Sequence, residues 1–169
     1  RKGYKEGRVI IRNKIKPGMG GGLCNLANTI NRVVLLSPLT VTEFHKHSDA
    51  LAPDEGPRVP LSSGTSVFYN NGDYRFKNNT NQNFQLLLWC DDDNLYAELR
   101  SEKPLSDTYR IVEENHHFQK EADKYYRVSK IYKETIDNAT NEVVDKKLIV
   151  DNHSEVMYDY SMIPKNEIR

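Results

Sequence analysis

The stretch PGMGGGLCNLANTINRVVLLSP, residues 17–38, decides the fold. Its first part, Pro17 to Gly22, is expected to break regular structure, because glycine tolerates positive φ and proline fixes its own. Its second part carries a one-sided stripe. Leu23, Leu26, Ala27, Ile30, Val33 and Val34 recur at helical spacing. Ser37-Pro38 supplies the stop, since a residue before proline avoids the helical region. A helix is therefore expected over about 23–36, with three consecutive glycines delivering Cys24 onto its first turn.

Outward from this helix the chain reads as strands. RVIIRNKIK, residues 8–16, suggests two short strands turning at Arg12-Asn13. LTVTEFH alternates toward His45, and SVFYN is separated from DYRFK by the hairpin signal Asn71-Gly72. FQLLLWCD and NLYAELR are divided by Asp91–Asp93, and DTYRIVEE continues the series. KYYRVSKIYKETID and EVVDKKLIVDNHSEVMY suggest a last hairpin around Asn138–Asn141, and no fixed-period repeat occurs. The pattern predicts an α+β protein, with one central helix packed on a mainly antiparallel sheet. A single domain over 1–169 is expected, with a motif-bearing core (1–104) and a C-terminal β-rich extension (105–169).

Bulk properties narrow the function classes. A chain of 169 residues suits one domain with a real core. Its 24 Lys and Arg balance 24 Asp and Glu, so no basic field points to nucleic acid. The longest apolar runs, Val33–Leu36 and Phe84–Trp89, are far too short to span a bilayer. Cys24 and Cys90 are expected as free thiols. The opening at Arg1, without Met and inside a charged stretch, reads as part of a longer protein and leaves the compartment open.

Two segments can carry chemistry. Cys24 projects about 120° from the centre of the apolar stripe, toward Asn28 and Asn31. A first-turn position exposes it to unpaired N–H groups and the positive helix end, which favour the ionised, nucleophilic form of a cysteine. The three glycines leave backbone accessible, so N–H groups near Cys24 could also stabilise an oxyanion. The plain alternative is a half-buried structural thiol. In TEFHKHSD, an extended backbone would place His45, His47 and Asp49 on one face, with Glu43 on the same side. That set fits a base that takes the Cys24 proton, oriented by a carboxylate. It fits equally a zinc site of Cys24, His45 and His47 with Asp49 nearby, or surface histidines with no task. Elsewhere, Cys90 is expected as a buried inert thiol, and His116-His117 as exposed loop residues. The tyrosines of DKYYRVSKIYK suit either a half-buried strand or a sugar- or peptide-binding face. Three N-x-[ST] matches, at Asn78, Asn138 and Asn152, are at chance level in so Asn-rich a chain.

RKGYKEGRV, then GMGGGLCNLANTINRVVLLSPLTVTEFHKHSD, SSGTSVFYNNGDYRFKNNTNQNFQLLLW and LYAELRSEKPL, together resemble the VanW family over nearly the whole chain. The likeness is densest from Gly20 to Asp49, where the family pattern is GGG-[IL]-C-Q-x-S followed by an E-R-H-x-H-S-like segment. Family members carry a further part ahead of the RKGY segment. Proteins with this domain accompany glycopeptide resistance, and some are regarded as L,D-transpeptidases acting on peptidoglycan stem peptides. The resemblance implies Cys24 as nucleophile, His47 as base and His45 as helper, with Gly21 and Gly22 shaping the turn and oxyanion site beside Asn25; no cofactor is expected, and a cell-envelope location goes with that activity, a cytoplasmic one otherwise. A non-catalytic peptidoglycan- or envelope-binding domain is the alternative. Asn25 stands where the family has glutamine and Ala27 where it has serine. Gly64 stands where the wider family often has an acid, leaving Asp49 or Glu43 to orient the histidine.

Overall fold

The structure is a computed structural model and describes residues 6–11, 14–19, 21–47, 49–50, 53, 64–68 and 70–169. In chain order the elements are β1 (Glu6–Ile11), β2 (Lys14–Met19), α1 (Leu23–Leu35), β3 (Thr40–Glu43) and β4 (Asp49–Ala50). Then come β5 (Arg75–Lys77), β6 (Phe84–Cys90), β7 (Leu95–Ser101), β8 (Asp107–Glu121), β9 (Lys124–Asp137) and β10 (Val143–Val156), followed by two single 3-10 turns.

The helix forms where the stripe predicts, burying Ala27, Asn31, Val34 and Leu35. Its exit is fixed by Ser37, whose hydroxyl donates to the Val34 carbonyl at 2.7 Å and accepts from the Leu39 amide at 3.2 Å. The class is α+β, but the expected single, mainly antiparallel sheet is replaced by several. Among the described residues there are three antiparallel pairs, β1-β2, β3-β5 and β6-β7, and one four-stranded sheet ordered β4-β10-β9-β8. That sheet is mixed, because β4 joins β10 in parallel. α1 packs mainly on β7, with β3 and β8 alongside.

Other expectations shift locally. The proposed Arg12-Asn13 turn lies outside the described residues, although β1 and β2 pair on either side of it. Pro17 and Gly18 do not end regular structure; β2 runs through them to Met19, opposite Arg8 and Gly7. A two-stranded ribbon tolerates proline because each strand has an unpaired edge for the missing N–H. The turn before Asp73 forms, with the Phe68 amide donating to the Gly72 carbonyl at 3.0 Å, but its left-handed residue is Asn70 at φ 62°. β5 then pairs with β3 rather than with the segment preceding the turn.

The two later hairpins follow their turn chemistry. Asp91 Oδ1 accepts the amides of Asp93 and Asn94 at 2.9 and 2.7 Å between β6 and β7. Asp137 Oδ1 likewise accepts those of Ala139 and Thr140, both at 2.8 Å, between β9 and β10. Such Asx-type bonds satisfy turn amides that no ladder reaches. A bulge between Glu114 and His117, with Asn115 at φ 54°, interrupts β8. His116 and His117 therefore sit in a strand, not a loop. His116 is largely buried, edge-on to Phe118, and its Nδ1 lies 3.3 Å from Glu167.

One core gathers Phe118, Val156 and Ile163 beneath Tyr125, Tyr158 and Ile168. Arg127 is buried between the rings of Phe118 and Tyr158, at 5.7 and 5.9 Å. A buried polar seam leads away from it. Asn152 Nδ2 donates to the Arg127 carbonyl at 2.8 Å, and Ser154 Oγ donates to Asn152 Oδ1 at 2.6 Å. The remaining link between sheet and helix is Lys133, whose ammonium donates to the carbonyls of Ser37 and Leu39 and lies 4.6 Å over the Tyr109 ring.

Burial, reinforced by the charge of Lys147, pushes the Lys133 ammonium down to about 8 from 10.5. Between those values the folded chain binds fewer protons than the unfolded chain, so stability rises with pH across that window. Urea unfolding of wild type and Lys133→Met at pH 7 and pH 10 is expected to show wild type gaining relative to the variant at the higher pH. An unchanged difference would place Lys133 in solvent.

Candidate functional site

The site begins with backbone conformation. Gly22 caps α1 at φ 93°, a left-handed conformation that L side chains rarely adopt, although open space surrounds it. A Cβ on Gly7 would lie 3.0 Å from the Cα and carbonyl carbon of Gly21, so β1 crosses the glycine turn at backbone distance. The Leu26 amide makes a helical bond to the Gly22 carbonyl at 3.0 Å. The amides of Leu23, Cys24 and Asn25 precede the intrahelical ladder, as at any helix start. Asn25 is exposed, and its carbonyl accepts from Thr29 Oγ1 at 2.9 Å.

Cys24 is half-buried and free. Its thiol donates to the Val67 carbonyl at 3.6 Å and lies 4.0 Å from Ser66 Oγ. One helical turn on, Asn28 Oδ1 accepts the Thr65 amide at 2.6 Å. A Cβ on Gly64 would stand 3.1 Å from that same oxygen. Residues 64–68 are thus laid along the polar face of α1, and the glycine at 64 is what lets the backbone come so close. On its other side this segment meets the histidines. The Ser66 amide donates to the His45 carbonyl at 2.7 Å, and Lys46 and Thr65 form an antiparallel bridge. The histidine segment is in turn backed by β10, where Lys46 Nζ donates to the Asp151 carbonyl at 3.3 Å and Ser154 Oγ to the His47 carbonyl at 3.4 Å.

The two imidazoles have different surroundings. His47 is half-buried, and its ring is held by the Thr65 backbone. Desolvation pushes its pKa below 6.5, against the opposing effects of the Thr65 hydrogen bond and the nearby Asp49 charge. The balance of these effects favours the uncharged ring. His45 is exposed, with Nε2 on Glu43 Oε1 at 3.0 Å. Glu43 also accepts the Asp73 amide at 3.2 Å and pairs with Arg75 Nε at 3.0 Å. The His45 bond, then the Asp73 amide and Arg75, hold the Glu43 carboxyl below its ordinary range. Each histidine therefore has an acidic companion, Glu43 for His45 and Asp49 for His47. Cys24 and His47 meet the same segment two residues apart, at Val67 and Thr65. Among the described residues no group of three or more His, Cys, Asp or Glu is arranged to hold a metal ion.

Cys90 is exposed rather than buried, because it ends β6 at the tip of a two-stranded hairpin. The tyrosines of β9 are half-buried, Tyr125 edge-on to Tyr160 and Tyr126 stacked on His153. Asn28, Gly64, Ser66 and Val67 enter the site without having been singled out for it. The available signal was Asn28, which falls four residues after Cys24 and so shares its helix face.

Cys24 on the first turn of a glycine-capped helix, and the His45/His47 segment, both meet residues 64–68. The family described as "VanW like protein" matches residues 1–100, and the chain belongs to it. The chain is 24% identical over 157 residues to the Vancomycin B-type resistance protein VanW of Enterococcus faecalis, covering 92% of this chain and 56% of that protein. It is 30% identical over 81 residues to the uncharacterized protein YoaR of Bacillus subtilis, covering 48% of this chain and 25% of that one. It thus spans little more than half the length of the first relative and a quarter of the second. No solved structure matches. No helix among the described residues is long and apolar enough to cross a membrane.

Asn28→Ala removes the acceptor of a partly buried amide, a loss of about 1–3 kcal/mol. Chemical denaturation is expected to show that destabilisation, together with faster hydrogen exchange at the Thr65 amide. Nuclear magnetic resonance titration of the His47 ring is expected to give a midpoint below 6.5; a midpoint above it would place the ring in water or against a dominant negative charge.

Proposed function

We propose that this chain performs cysteine-dependent acyl transfer on peptidoglycan stem peptides, in the manner of an L,D-transpeptidase, in cell-wall remodelling or glycopeptide resistance. The observation that carries the reading is the seating of a half-buried Cys24 thiol on the first turn of α1, against the segment that also holds His47, whose pKa burial lowers. The name of the enterococcal relative refers to vancomycin resistance, and on that ground we take peptidoglycan stem peptides as the substrate class.

In this reading His47 accepts the thiol proton as Cys24 Sγ attacks the carbonyl carbon of the donor peptide. The oxyanion that forms accepts hydrogen bonds from first-turn amides between Leu23 and Asn25. Collapse breaks the donor's terminal peptide bond, and the departing D-amino acid takes the proton back from His47. An amine of a second stem peptide, or water, then attacks the thioester carbonyl and returns the sulfur to Cys24, with His47 again moving the proton. His45, with Glu43 behind it, assists from the exposed side, and Asp49 favours the imidazolium that forms on His47. Gly21 and Gly22 hold the turn that positions the amides. A cell-envelope location follows from this substrate.

Intact-mass measurement after incubation with a carbapenem or a tetrapeptide-containing muropeptide tests the reading. One adduct is expected on wild type and on Cys90→Ser, and none on Cys24→Ala. His47→Gln is expected to slow adduct formation about 100-fold or more. An unmodified wild-type mass with both reagents overturns the proposal and favours a binding domain.

A further inference from the structure

A cleft of about 290 Å³ opens at the other end of α1, between the helix exit and the four-stranded sheet. It lies about 17 Å along the helix axis from Cys24 and shares none of the site residues described above. Its walls are of two kinds. Pro38, Val41 and Ile149 supply apolar surface, while Lys133, Lys147 and Asp145 supply charge. The volume is near the lower end for small-molecule pockets, and the mixture of apolar wall and few charged groups is typical of them.

The charges are not balanced within the cleft. Lys133 is sunk against the sheet, where the carbonyls of Ser37 and Leu39 accept its protons without supplying a formal negative charge. Lys147 stands near enough to repel it, and the Asp145 carboxylate opposes that effect on Lys133. Among the described residues Lys147 has no ion pair. Two ammonium groups facing one carboxylate, beside an apolar wall, form an arrangement that a bound anion would relieve. Tyr109 and Thr135, from β8 and β9, add hydroxyl groups at the rim.

We infer that this cleft binds a small organic anion, a carboxylate or phosphate monoester bearing a short apolar portion, with its charged end between Lys133 and Lys147. The apolar portion covers Pro38, Val41 and Ile149. The inference is independent of acyl transfer at Cys24.

Hexanoate, hexyl phosphate and hexan-1-ol serve as probes, with binding followed by amide shifts of cleft residues and by the titration of the Lys133 ammonium. At least one of the two anions is expected to bind saturably, to raise the Lys133 midpoint above about 8, and to lose about tenfold or more in affinity in Lys147→Met. Hexan-1-ol is expected to give no saturable change. Lys147 is exposed, so its replacement leaves the fold in place, whereas Lys133→Met removes a structural contact and is not the primary variant. Comparing the two anions distinguishes a carboxylate site from a phosphate site. Absence of saturable binding by both anions, equal binding of the alcohol, or unchanged affinity in Lys147→Met overturns the inference.

Discussion

The hydrogen bond from the Thr65 amide to Asn28 Oδ1 is the contact on which the site depends. It fastens residues 64–68 to the polar face of α1, and that segment is what Cys24, His45 and His47 all meet. Val67 reaches Cys24 because of it, and the Thr65 backbone reaches the His47 ring. The close approach also explains Gly64. With Asn28 occupying the space beside its Cα, a side chain at that position would have to displace the amide group. An acid cannot be accommodated there without moving Asn28, so the carboxylates that accompany the imidazoles come from Glu43 and Asp49 instead.

The second organising feature is the way β10 serves two structures at once. Its middle pairs with β9 and contributes Val150 and Asn152 to the buried layer. Its end accepts β4 in parallel and, through Ser154, supports the His47 backbone. The buried polar seam from Arg127 through Asn152 to Ser154 therefore runs from the middle of the sheet to the histidine segment. Its groups are hydrogen-bonded in series, which is how polar atoms are tolerated in a dry layer. The family match ends at residue 100, yet the strands beyond it hold the histidine segment from behind.

How much of this was legible in the sequence depended on whether a signal was local. The helix at Leu23–Leu35 followed from periodicity and the Ser37-Pro38 stop, and the hairpins around Asp91 and Asp137 from short-range turn chemistry. Sheet partnership is non-local and was less legible. Nothing in DYRFK indicates that it pairs with β3, or that Asp49–Ala50 lies parallel to Glu155–Val156. Cys90 was misjudged because an apolar run such as LLLW suggests burial, whereas its hairpin position at the tip leaves it exposed. At the site, Cys24, His45 and His47 were recognisable as reactive types near a glycine turn. The different surroundings of the two imidazoles were not, because they depend on Thr65 and Asp73, which reach them only through the fold.

The support behind His47 has a consequence for the order of assembly. Lys46 and Asp151 are 105 positions apart, and His47 and Ser154 are 107 apart. Contacts at such separation require a long loop to close and consolidate late. A chain present only through β9 already contains the thiol, both imidazoles and the segment between them, but lacks the strand that backs Lys46 and His47. Without β10 the two histidines would keep their links to residues 64–68 and Glu43 and lose their support from behind.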